Sequence, residues 1–93
     1  MASYVSPLDL GKVVSAIQAE GNTLVRASLV RNYVDMLDVC NGRLQNPNQH
    51  YERAYTAYLG IISQLNEEDR ELIKVFKKRA DYCREKAGLP RKA

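Results

Sequence analysis

Few residues in this 93-residue chain are of a type that does covalent or acid–base chemistry: one histidine, His50, and two cysteines, Cys40 and Cys83. A nucleophilic cysteine needs a thiolate, held by a nearby cation or a helix N-terminus. Both cysteines instead fall late in segments of helical periodicity, where the helix dipole disfavours an anion. Two cysteines and one histidine at unrelated spacing do not assemble a zinc site. The five glycines, at 11, 21, 42, 60 and 88, never cluster into a phosphate-cradling loop. Glu67, Glu68, Asp69 and Glu71 form a group of carboxylates, but they open a helical segment, where acids complement the dipole. No catalytic constellation, cofactor motif or metal-ligand set emerges, and the chain reads as a non-enzymatic protein.

What remains are groups that bind. Charge is unevenly placed. Met1–Leu65 balances five basic residues against five acidic, Asn66–Glu71 holds one against four, and Leu72–Ala93 holds eight against two, a local net of +6. On the last helical segment Arg70, Lys74, Lys77, Asp81 and Arg84 share the outward side of the wheel, with Lys78 beside them. Arg91 and Lys92 extend the charge beyond it. Lys74, Lys77, Lys78, Arg84, Arg91 and Lys92 are therefore the candidate contacts for a nucleic-acid backbone or an acidic partner, each phosphate contact weakening with salt. The same arrangement also complements a helix dipole, with acids first and bases last.

A second candidate set is aromatic. Tyr51, Tyr55 and Tyr58 are half of the six tyrosines, within one short window. A base-stacking platform interleaves exposed aromatics with lysine or arginine. These three instead lie within about 60° on the wheel and continue into Leu59, Ile62 and Leu65, so they form the spine of a buried helix face. A buried tyrosine still needs a partner for its hydroxyl, so each should end at the edge of the bundle or against a second subunit. Tyr51, Tyr55 and Tyr58 are accordingly candidate protein-interface residues, together with Arg53 and with Arg26, which falls inside an otherwise apolar arc. Arg26 there either snorkels at the core edge or pairs with an acid across an interface.

Four helices must position these groups. Ser6-Pro7-Leu8-Asp9 is a capped start with proline at the first helical position, and Gly21 is a stop. Asn22 or Thr23 caps a second helix that runs to Asn41-Gly42. Asn46-Pro47-Asn48-Gln49 repeats the first start with Gln49 in the capping-box position, Asn66-Glu67-Glu68-Asp69 opens a fourth helix, and Ala87-Gly88-Leu89-Pro90 closes it. Expected helices are 7–20, 23–40, 47–65 and 67–87, followed by a basic tail at 88–93. The second and third carry apolar arcs about 200° wide, twice the stripe of a helix packed on one side. They should be central, the fourth packed on one side and the first a short cover. The window Tyr51-x-x-Ala54-Tyr55-x-x-Tyr58 resembles the helical hairpins of the tetratricopeptide and microtubule-interacting-and-transport types, over the third and fourth helices only, and no functional residue carries across.

The expectation is one all-α domain, 1–93, a small four-helix bundle of two helical hairpins. A chain of this length buries only about 60–65% of its unfolded surface, and the wide arcs suit completion by homodimerisation, so a homo-oligomer is expected. No apolar run approaches the about 18 residues of a membrane span. MASYVSPLDL lacks the basic and apolar regions of a signal peptide, and the cysteines read as reduced core residues, so the expected setting is cytoplasmic. The functional expectation is a small adaptor, regulator or inhibitor that works by contact with a larger protein and uses no cofactor. The alternative is a nucleic-acid-binding helical dimer using the basic face of the fourth helix.

Overall fold

A helix begins where the chain supplies acceptors for its first N–H groups and ends where it offers the last carbonyls new donors. The computed structural model, which describes residues 7–90, follows that rule element by element. Four helices run α1 (Pro7–Ala19), α2 (Thr23–Cys40), α3 (Pro47–Ser63) and α4 (Arg70–Ala87), with short 3-10 turns at Asn41–Arg43 and Glu67–Asp69. Asn22 is the cap of α2: its Oδ1 accepts the Leu24 and Val25 N–H groups at 3.0 and 3.1 Å. The Glu20 carboxylate in turn accepts the Asn22 N–H at 3.0 Å. Asn66 turns the chain extended before α4, and Asp69 reaches back to its N–H at 3.1 Å.

Gly88 closes α4 in the left-handed conformation, φ 74°. Its N–H bonds the Glu85 carbonyl and the Leu89 N–H bonds that of Arg84, both at 3.1 Å. These two bonds are the Schellman pair that satisfies a helix end.

Three boundaries differ from expectation, the first only by one residue, since α1 ends at Ala19. α3 ends at Ser63 rather than 65, where the Ser63 hydroxyl bonds the Gly60 carbonyl at 2.7 Å and Gln64 caps the last turn. Residues 67–69 form a 3-10 turn ahead of α4 rather than its first turn. Asn46 makes no side-chain cap, so the capping box expected at Gln49 does not form. Pro47 at the first helical position takes over the start.

The fold is all-α, and its principal packings are those of consecutive helices: α3 on α4 most extensively, then α2 on α3, then α1 on α2. This explains the wide apolar arcs of α2 and α3, since each is covered from two sides. The molecule is only 21 Å across its thinnest dimension, about two helix diameters. The core centres on Val30, Tyr33 and Leu37 of α2, Tyr51, Ala54, Tyr58 and Ile61 of α3, and Cys83 of α4, none more than 1% exposed. Tyr58 and Phe76 stack at 6.1 Å across the α3–α4 contact. No helix among the described residues is long and apolar enough to cross a membrane.

Candidate functional site

When each helix packs mainly on its neighbour in sequence, helices one apart face each other across a groove. Two such grooves form. The larger lies between α1 and α3 above α2, a hollow of about 630 Å³. Val14 and Ile17 of α1, Tyr33 of α2, and Ala54 and Ala57 of α3 make its apolar walls and floor. Its polar lining includes Arg26 from α2 and Arg53 from α3. A second hollow of about 510 Å³ shares Val14, Gln49 and Arg53 with it and continues past His50 to Arg43 and Leu44. The two make one trough.

Arg26 and Arg53, proposed together from sequence, are thus brought to one place. Arg26 is half-buried, as a side chain on an apolar arc must be. Its Nη2 donates to the Glu20 carbonyl just past the end of α1, so it caps that helix from the neighbouring one. Its Nε is buried without a partner. Arg53 is exposed. Neither makes an ion pair among the described residues. With Arg43 they set three arginines against one acid, Glu52, along the trough.

Sequence reasoning missed the pair beneath them. The Tyr33 hydroxyl and His50 Nδ1 lie 2.7 Å apart, with the rings edge to face at 6.0 Å. Burial first, and then the Arg53 charge, hold His50 below its ordinary range, so it is neutral at pH 7. Burial pushes Tyr33 up against the opposing pull of Arg53, so it keeps its proton. Tyr33 therefore donates to Nδ1, and the imidazole proton resides on Nε2. Only the periodic placement of Tyr33 on the apolar arc of α2 hinted at this; the 17-residue separation from His50 concealed the contact.

The tyrosine set needs correction. Tyr51 and Tyr58 are each 1% exposed, because both neighbours of α3 close over that face, so neither presents a surface to a partner. Tyr55 is half-buried. The Tyr51 hydroxyl ends on Asp38 Oδ1 at 2.5 Å, where the hydroxyl of Tyr82 also arrives, at 3.0 Å. Burial, then the bond to Asp38 and its negative charge, raise Tyr51 well above the usual tyrosine value. Tyr58 ends on nothing.

The basic face of α4 also needs correction. Arg84 is 8% exposed rather than outward-facing. Its Nε bonds Asp81 at 3.3 Å and its Nη1 reaches the Leu89 carbonyl at 3.4 Å, so it holds the chain that follows α4 instead of facing solvent. Lys74, Lys77 and Lys78 are exposed, with Asp81 and Glu85 also exposed on the helix. Lys74 already pairs with Glu71 at 3.7 Å. Arg91 and Lys92 lie outside the described residues.

The chain matches no family model, no curated protein and no solved structure. Function is therefore read from side chains alone. Cys40 and Cys83 are free and buried. Burial, then the negative charge of Asp38, push the Cys83 thiol up to about 12, the reverse of what a nucleophile needs. Among the described residues no group of three or more His, Cys, Asp or Glu could hold a metal ion. What the trough offers is shape, apolar area and guanidinium groups.

Proposed function

We propose that this is a small non-enzymatic binding protein that receives an acidic amphipathic segment of a larger protein in the trough between α1 and α3. One observation carries the reading: Arg26 and Arg53, from different helices and without an acid partner among the described residues, converge on a hollow with an apolar floor. The hollow's 630 Å³ falls within the range of about 300–1,000 Å³ typical of ligand sites. Its continuation past His50 makes it longer than a compact small molecule requires. A helix laid in a groove offers an apolar face to such a floor and carboxylates at its rim. Arginine, with its planar fork of donors, is the side chain best suited to hold carboxylates there. The alternative use of α4 as a nucleic-acid contact has less support, since Arg84 is turned inward and acids interrupt the remaining lysines.

The test uses two synthetic helical peptides with one shared apolar face, their polar faces built from glutamate or from lysine. Each is titrated into the full chain and followed by amide chemical shifts. The glutamate peptide is expected to bind with shifts at Val14, Ile17, Arg53 and Ala57, and the lysine peptide is not. Arg26→Glu with Arg53→Glu should reverse that preference. Equal binding of both peptides, or shifts confined to α4, would refute the reading.

A further inference from the structure

The second groove lies between α2 and α4 above α3, independent of the first. It encloses about 240 Å³ between Val34, Asp35 and Asp38 on one wall and Lys78, Arg79 and Tyr82 on the other, with Tyr58 and Cys83 as its base. At about 30 Å³ per water, the volume would hold some eight waters or one small polar molecule.

Tyr58 is the anomaly here. It is 1% exposed, and its hydroxyl is buried with no hydrogen-bond partner. Buried hydroxyls are nearly always partnered, because an unmade bond leaves the desolvation penalty uncompensated. The Arg79 guanidinium lies against the Tyr58 hydroxyl and draws its pKa down by its charge and by a hydrogen-bond contact short of full geometry, and the charge of Arg31 also reaches it. A guanidinium can only donate, to the phenol oxygen or elsewhere, so the Tyr58 O–H proton still lacks an acceptor. The two acids of the groove do not supply it. Asp38 Oδ1 already accepts two tyrosine hydroxyls, and Asp35 on the same wall makes no bond to Tyr58. The groove's own charges balance, Lys78 and Arg79 against Asp35 and Asp38, and the positive charge of Arg31 reaches the hydroxyl from outside the lining.

We propose that the α2/α4 groove binds a small oxyanion, the carboxylate or phosphate group of a low-molecular-weight ligand, which accepts hydrogen bonds from Tyr58 and Arg79. One oxygen placed between the two donors completes both bonds. The second oxygen of the same group faces Lys78 at the mouth, and Asp38 stays engaged with Tyr51 and Tyr82. The site uses none of the residues that line the α1/α3 trough, so the two readings stand or fall separately.

Inorganic phosphate and acetate are the probes, titrated separately into the full chain at constant ionic strength against chloride. The readouts are the Tyr58 ring and Arg79 Nε resonances. Saturable shifts are expected at both, and which probe produces them separates a phosphate ligand from a carboxylate one. Tyr58→Phe and Arg79→Gln should each raise the dissociation constant about tenfold or more, the loss of one hydrogen bond to a charged group. In buffer without either probe, Tyr58→Phe should unfold no earlier than the wild-type chain, since its hydroxyl has no bond to lose. Resonances that move linearly with salt, or not at all, overturn the proposal. So does a Tyr58→Phe chain that is clearly destabilised without anion, because the hydroxyl is then satisfied by a buried water or by Arg79 itself. Arg79→Gln, on a half-buried side chain, keeps the test valid if Tyr58→Phe fails to fold.

Discussion

Tyr51 and Tyr58 offer a controlled comparison within one helix. They are the same residue type, two turns apart on α3, and each is 1% exposed. They differ in that the Tyr51 hydroxyl donates to the Asp38 carboxylate at 2.5 Å while the Tyr58 hydroxyl has no partner. Replacing either with phenylalanine removes one oxygen and leaves the ring in place, so the packing loss is common to both. A hydrogen bond to a charged group contributes about 1.5–3 kcal/mol net. Asp38 is exposed and keeps the Tyr82 hydroxyl at 3.0 Å, which puts Tyr51→Phe at the low end, about 1.5–2 kcal/mol. For a domain of this size that is about 6–15 °C in Tm. Tyr58→Phe should lie within about 0.5 kcal/mol of the parent, the range of a substitution that breaks no special feature. Urea denaturation read by far-ultraviolet circular dichroism gives both values, and the m-value should not change. Equal losses for the two variants would refute the assignment of the bond. A larger loss for Tyr58 would also remove the ground for an oxyanion site.

Other outcomes follow from the same contacts. Tyr58 and Cys83 are pushed up to about 12 from ordinary values of 10.0 and 9.0. Above about pH 9 the unfolded chain therefore sheds protons that the folded chain retains, and stability should fall as pH rises through 9–11 in a series of urea midpoints. On the acid side, His50 sits below its ordinary 6.5. The unfolded chain takes up that proton first, and stability should decline as pH drops below about 7, a slope that His50→Gln removes. Arg84→Met should cost about 1–3 kcal/mol, because it strips a buried guanidinium from the Leu89 carbonyl and leaves Asp81 unpaired. Light scattering should return a mass above the 10.5 kDa monomer, since Val25 and Leu59 on the wide faces stay 45% and 42% exposed, and the monomer mass would remove the expected homo-oligomer. Generic duplex DNA should show no shift even at low salt, and a shift abolished by reversing Lys74, Lys77 and Lys78 would reinstate α4 as a contact surface.

The four helices were legible because their ends carry local chemistry. Asn22, Pro47, Asn66 and Gly88 act through residues at most four positions away, and periodicity located Tyr33, Tyr51 and Tyr58 on buried faces. The arcs of α2 and α3 even foretold which helices would be central. Arg84 was misplaced for a reason that a wheel cannot contain: it lies at the margin of the stripe, and the carbonyl that draws it inward belongs to the irregular chain after Gly88. Arg26 and Arg53 were legible as members of one candidate interface, but not their convergence on one hollow. Tyr33 with His50, Tyr82 with Asp38, and the unpartnered Tyr58 depend on the relative rotation of packed helices, which spacing along a chain does not encode.

Packing by consecutive helices has a kinetic consequence. Contacts made between neighbours in sequence close short loops, so the chain should fold quickly for its size. Among the described residues the two ends of the array are held unequally: α4 rests on the most extensive interface and α1 on the least. Partial opening should therefore begin at α1, and native-state hydrogen exchange should find its amides released at a lower free energy than those of α3. Since α1 is one wall of the Arg26–Arg53 trough, the width of the proposed binding site would follow the helix with the least extensive packing among the described residues. A partner helix seated there would raise the protection of α1 before that of any other element.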